Sequence, residues 1–262
     1  LDYDLETVFE AINAIQGTPF KINERVLEVF QHYWENNLEC ADLPQREDLE
    51  LPEKPEDIAT NDEARKVWRR AAAAVNGTNA KSRSERIMLS KILWIAKKFK
   101  ENPLWFTSQL DWRGRQYPVS LALHTQGPSL CKGLLLFNDG KRIESKTAEA
   151  WLGIAVANAW GHDKLSFDDR VSWVNDNGEM LLDVADNPYD NTGWMDADSP
   201  WEALAGCFEL QGYTEDPENF VSCLPIHQDA TQSGLQILSL LLRDPDGAKA
   251  TNCIASDEPQ DL

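Results

Sequence analysis

One aspartate, Asp229, stands where an apolar, β-prone run gives way to a helical one. Phe220, Val221, Cys223, Leu224 and Ile226 precede it, and Ala230 to Gly234 form a small, polar, turn-like segment. Leu235, Leu238, Leu241 and Leu242 then recur at three- and four-residue spacing. The order predicts strand, acid, helix. A carboxylate at the mouth of a strand suits a hard cation such as Mg²⁺, which takes oxygen ligands. The same position also suits a helix N-cap, for which Asp is a preferred residue.

A second stretch with chemical character is Asp111-Trp112-Arg113-Gly114-Arg115-Gln116-Tyr117. Glycine lets a backbone approach a ligand closely. Arginine grips phosphate in two-pronged fashion, and Trp or Tyr stacks on a base. The competing reading is a surface turn. Thirteen basic residues lie between Arg65 and Arg115, opposed only by Glu85, Glu101 and Asp111, so this segment carries +10 and the rest of the chain −29. Such asymmetry points to one basic face for phosphates, or to a solvated helix face.

These groups need a frame. The 262 residues, 42% of them apolar, are enough for one large domain or two small ones. No apolar run approaches the ~20 residues of a membrane span, and no signal-peptide pattern opens the chain. Five scattered cysteines (Cys40, Cys131, Cys207, Cys223, Cys253) argue for reduced, cytosolic thiols. The pairs Asp168-Asp169, Asp196/Asp198 and Asp244/Asp246 read as caps and turns, and the four histidines show no metal-ligand spacing.

Amphipathic spacing predicts helices over 4–16, 23–37 (capped by Asn23), 61–75 (capped by Asn61 or Asp62 and ended by Asn76-Gly77) and 82–100. An acidic, proline-bearing connector occupies 39–59. Residues 101–140 read as strands, with a hairpin signal at Asp139-Gly140. Helices are expected again over 145–160, 168–185 and 200–211, with a loop at 186–200. Residues 245–262 read as a polar, mobile tail.

Taken in order, DWRGRQYPVS (111–120), KGLLLF (132–137) and DATQSGLQ (229–236), closing with Leu242-Arg243-Asp244, resemble the single-subunit RNA polymerases of bacteriophages and mitochondria. QGTPFKIN (16–23), LPEKPEDIA (51–59) and RRAAAAV (69–75) resemble the same family's approach to its palm. The likeness thus covers nearly the whole chain. The resemblance implies that Asp229 is the first catalytic aspartate and a ligand of both Mg²⁺ ions of a two-metal site. The carbonyl of the next residue also faces a metal in the family. That residue is normally glycine and here is Ala230. Ile237 stands where the family has histidine, so no role passes to it. Arg113 and Arg115 match arginines that contact the template strand and hybrid. Tyr117 matches the tyrosine beside them, and Lys132 the lysine before the Gly-Leu-Leu run. Lys81, Arg83 and Arg86 lie where the family has a basic segment near its thumb.

The family's fingers helix and its second catalytic aspartate, in a His-Asp-Ser motif, have no counterpart in this sequence. The expected fold is therefore α+β, with a helical, thumb-like region over 1–100, the first portion of a right-hand palm over 101–245, and an acidic tail over 246–262. The expected function is that of a subunit of a DNA-directed RNA polymerase, inactive alone. Its ending reads as a natural terminus, which favours the smaller subunit of a split phage enzyme over a cut piece. Its expected partners are a second subunit carrying fingers and the second aspartate, DNA template, RNA product and nucleoside triphosphates. A single-strand-binding accessory factor is also expected, and no membrane, with the infected bacterial cytoplasm as its location. The alternative is a non-catalytic nucleic-acid-binding remnant or scaffold.

Overall fold

The computed structural model describes residues 5–44, 46–227, 232–255 and 260. The first part of the chain supplies α1 (Glu6–Gln16), β1 (Phe20–Ile22), α2 (Glu24–Glu35) and the long α3 (Asp62–Lys98). A middle part follows with β2 (Ser108–Leu110), β3 (Gln116–Pro118), α4 (Ser129–Gly133), β4 (Leu135–Phe137) and β5 (Lys141–Arg142). Then come α5 (Lys146–Ala159), α6 (Phe167–Asp176), α7 (Gly178–Asp186), a 3₁₀ turn at Thr192–Asp196 and α8 (Pro200–Glu215). β6 (Val221–Ser222), α9 (Ser233–Leu242) and α10 (Pro245–Ala250) complete the described elements. The fold is mixed helix and small sheet, consistent with the α+β class expected from the sequence.

Helix α8 is the hub. It buries Trp201, Leu204, Cys207 and Phe208 together with small residues between them, and an all-round apolar surface is that of a helix enclosed by protein. Helices α2, α4, α5 and α7 pack against it. The Trp201 ring meets Trp194 at 5.0 Å and Phe30 at 5.9 Å, both edge-on. Gly133 lets α4 cross close to it, because a Cβ there would lie 2.4 Å from the Trp201 carbonyl oxygen. From the same short helix, the Ser129 hydroxyl accepts from the Trp201 and Glu202 amides at 3.1 and 3.3 Å. It thereby caps α8 across 72 residues, where the local Ser199 makes no side-chain cap.

The strands form three two-stranded antiparallel pairs, β1 with β4, β2 with β3 and β5 with β6. β1–β4 sets Phe20 opposite Phe137 and Ile22 opposite Leu135, which brings the amino-terminal helices onto the α8 core. Four sequence expectations are corrected. Asp139-Gly140 does not turn a hairpin, since the strands on either side pair with different partners. Gly140 instead clears β6, with a would-be Cβ 2.6 Å from Cys223 Sγ and the Ser222 carbonyl. Residues 168–185 are two helices broken at Asn177. The helix expected over 200–211 runs on to Glu215, and Gly212 within it makes room for the Phe220 ring, 2.4 Å from a would-be Cβ. The stretch read as a polar tail opens with a helix capped by Asp244, whose carboxylate accepts from the Asp246 amide.

The fifth difference is the largest. α3 runs unbroken through Asn76-Gly77 for 37 residues. One glycine costs a helix only about 1 kcal/mol relative to alanine, and the acidic connector offsets that cost by lying along the helix. The Trp68 indole donates to the Pro52 carbonyl at 2.8 Å. The Asn79 amide donates to the Leu49 carbonyl and accepts from its N–H, at 2.9 and 2.8 Å. Arg83 and Arg86 pair with Asp48 at 3.2 and 2.6 Å.

The α4–α8 crossing generates a stability prediction. Gly133→Ala should destabilise the protein by about 1–3 kcal/mol, as for other overpacked sites, because the opposing atoms are backbone and cannot swing aside. Urea unfolding measures this; a loss near zero would mean that the crossing adjusts freely.

Candidate functional site

The Asp111–Tyr117 stretch forms the loop of the β2–β3 hairpin, with Leu110 facing Gln116 and Gln109 facing Tyr117. One carboxylate builds the loop. Asp111 Oδ1 accepts from the Arg113 and Arg115 amides, both at 2.9 Å. Its Oδ2 accepts from Arg113 Nε and Nη2 at 2.9 and 2.8 Å. Gly114 sits at φ +78°, a conformation that favours glycine, and so lets the chain turn back. Desolvation pushes the Asp111 carboxyl up, but the bonds from Arg115 and Arg113 together outweigh it and hold the group below its ordinary value.

The consequence is a division of labour. Arg113 is folded back on Asp111, with Nη2 3.4 Å from the Tyr117 hydroxyl and its guanidinium 5.4 Å from the Trp112 ring centroid. Arg115 is exposed. Trp112 is 91% exposed at the tip. The root of the hairpin is held by the Gln16 side chain, which accepts from the Ser108 amide at 2.9 Å.

Lys132 lies on α4, and its ammonium is 3.7 Å from Glu202 Oε1 in the first turn of α8. His227 Nε2 approaches the other oxygen of that carboxylate at 4.0 Å. Burial raises the Glu202 carboxyl against the opposing pull of Lys132. Burial and Lys132 lower the His227 imidazole, so it is neutral near pH 7. These three side chains line a cleft of about 140 Å³ between α5, α8 and the run 224–227. Just before that run, the Ser222 hydroxyl donates to the half-buried Glu209 carboxylate of α8 at 2.6 Å. Glu202 and His227 escaped the reading from sequence. Glu202 looks like an ordinary acid at a helix start, and nothing local shows that it meets a lysine 70 positions earlier.

The remaining basic candidates are on α3. Lys81 pairs with Glu85 one turn on, at 3.7 Å, while Arg83 and Arg86 hold Asp48. The structure thus sorts the candidates into a hairpin group, an α3 group and an α4–α8 group. Asp229 and Ala230 lie outside the described residues. Among the described residues no group of three His, Cys, Asp or Glu side chains could hold a metal ion, and no helix is long and apolar enough to cross a membrane. Burial pushes the Cys40 and Cys207 thiols up to about 12 and Cys131 to about 11, which removes them as nucleophiles.

Comparison with known proteins agrees with the motifs. A family model for DNA-dependent RNA polymerase matches residues 142–262. T7 RNA polymerase of Escherichia phage T7 is 40% identical over 264 residues, covering 100% of this chain and 30% of the relative. DNA-directed RNA polymerase of Enterobacteria phage T3 is 38% identical, again over 100% of this chain and 30% of its own length. DNA-directed RNA polymerase 1, mitochondrial, of Nicotiana sylvestris is 35% identical over 98% of this chain and 26% of its own length. The chain therefore spans less than a third of the length of these relatives.

The hairpin geometry fixes a pH response. A depressed carboxyl stabilises its loop above the unfolded-state value and loses that contribution as pH falls through the folded-state value. The Arg113 and Arg115 amide resonances should therefore titrate with a midpoint below the ordinary aspartate range, and Asp111→Asn should remove the transition. A midpoint at the ordinary value would mean that Asp111 does not organise the loop.

Proposed function

Since the chain belongs to the phage- and mitochondrial-type DNA-directed RNA polymerases, we propose that it forms part of the catalytic body of such an enzyme, acting in template-directed RNA synthesis from nucleoside triphosphates. The observation that carries this is coverage. Every stretch read as chemically active lies within one match at 40% identity that spans the whole chain.

In this reading residues 1–100 serve as the thumb-like region and 101–245 as the first portion of the palm. Asp229, with the carbonyl of Ala230, would hold Mg²⁺. Both are oxygen donors, the set such a cation takes. When bound, the metal would lower the pKa of the attacking hydroxyl and neutralise the triphosphate. Arg115 is the exposed cation that meets the template backbone. Arg113 and Asp111 present it, with Tyr117 and Trp112 beside it. Lys132, Lys81, Arg83 and Arg86 reach nucleic acid by exchanging carboxylate partners for phosphates. One carboxylate cannot complete a two-metal clamp. Fingers and a second aspartate must come from the rest of the polymerase, supplied by a partner chain, so this chain is inactive alone. Work in the cytoplasm of an infected cell, with a single-strand-binding factor to help open DNA, belongs to the same proposal. A non-catalytic remnant is the second reading, favoured by the alanine at 230 where the family places glycine.

Primer extension on a single-stranded template with Mg²⁺ tests both. Activity should appear only when the rest of the polymerase is present, and Asp229→Asn should abolish it while assembly and DNA binding persist. Retained turnover in that variant would reject the metal role, and absence of activity from the complete complex would leave the remnant. Independently, Arg115→Ala should weaken template binding and reduce the slope of log K against log salt by about 1. Arg113→Ala should act instead through the order of the loop. Unchanged binding for Arg115→Ala would make that arginine structural.

A further inference from the structure

Helices α9 and α10 form a hairpin that is inside out. They meet through small and polar residues. Gly247 passes so close to α9 that a Cβ there would lie 2.5 Å from Ser239 Oγ. Gln236 Nε2 donates to the Thr251 carbonyl at 2.7 Å, and the Asp244 amide donates to the Ser239 carbonyl at 2.9 Å. Ser239 is the buried residue of α9, with Ala248 and Thr251 buried on the α10 side. The large apolar side chains turn the other way. Leu235, Ile237, Leu238, Leu240, Leu241 and Leu242 are 43–76% exposed. A helix at a water boundary normally does the reverse, and a contiguous apolar patch of this kind marks an interaction surface.

We propose that the outward face of α9 is the seat of the partner chain that carries the remainder of the polymerase. The inference rests on the functional reading above and adds where the partner docks. Two further observations choose this occupant over a second copy. First, in the split-enzyme reading the partner brings the part of the polymerase that this chain, spanning 30% of the length of its phage relatives, does not match, a body more than twice its size. α9 begins four residues after Asp229, the acid that body must complete. Second, the chain carries −19 overall, so two copies approaching one another repel, whereas a partner of opposite net charge with an apolar centre is accommodated. The rim at the carboxyl end of α9 is itself mixed, with Arg243 and Lys249 beside Asp244 and Asp246.

The test is co-expression with the protein of the same source whose sequence matches the rest of the polymerase family, followed by light scattering and hydrogen exchange. The wild-type pair should form a complex in which the amides of residues 235–242 exchange more slowly than in the free chain. Leu238→Asp/Leu241→Asp should weaken association by roughly a hundredfold or more, while Ile87→Asp/Trp94→Asp, equally exposed on α3, should not. Circular dichroism of the free variants should match wild type, since none of these side chains is buried, and the exchange result does not depend on any variant folding. Should the complex form without slowed exchange in α9, and equally well with the double variant, the docking site is elsewhere and the split-enzyme reading survives. Dimers of this chain alone that the double variant dissolves would assign the face to a second copy and overturn the proposal. No complex with wild type would overturn the proposal and the split-enzyme reading together.

Discussion

The approach of Gly133 to the carbonyl of Trp201 is the constraint on which the arrangement depends. It lets α4 lie against the start of α8, so that Ser129 caps α8 from outside and Lys132 meets Glu202. From there β4 leaves α4 directly and pairs with β1, which carries the amino-terminal helices onto the same core. A side chain at 133 would push these apart at once, because each link is set by the one before it. Gly133 and Lys132 of α4 and Glu202 of α8 all line the cleft beneath the run 224–227.

Charge is handled by the same economy. The segment from 65 to 115 carries +10 in sequence, yet in the fold several of its cations already face an acid. Arg113 has Asp111, Arg83 and Arg86 share Asp48, and Lys81 has Glu85. An anionic ligand therefore competes with carboxylates rather than with water alone. The binding free energy is a difference between two ion pairs, smaller than a count of positive charges suggests and strongly dependent on salt.

What could be read from sequence was what is decided locally. Asn23 and Asn61 cap their helices as read, because a cap involves residues two or three positions apart. The DWRGR stretch forms a turn between strands because Asp111 and Gly114 specify it without outside help. What could not be read was decided at a distance. Whether Asn76-Gly77 breaks a helix depends on Leu49 reaching Asn79. Whether Asp139-Gly140 turns a hairpin depends on strands 20–22 and 221–222 competing for its two arms. Glu202 gained its partners only when α4 docked on α8. Asp229 and Ala230 lie outside the described residues, so their assignment remains that of the resemblance.

The connector along α3 has a mechanical meaning. A helix of 37 residues is about 55 Å long, and only its carboxyl-terminal part, at Ile92, Leu93 and Ala96, joins the core. The remainder is a cantilever. Residues 46–52, fastened at Trp68, Asn79 and Arg86 and anchored at their root by Arg46 donating to the Trp34 carbonyl, act as a tension member on one side of it. Such a beam resists bending away from its stay and yields in the opposite sense. Asp48 supplies the ionic fastening, so a polyanion that drew Arg83 and Arg86 off that carboxylate would loosen the stay at that point while the neutral bonds at Trp68 and Asn79 still hold it to the arm.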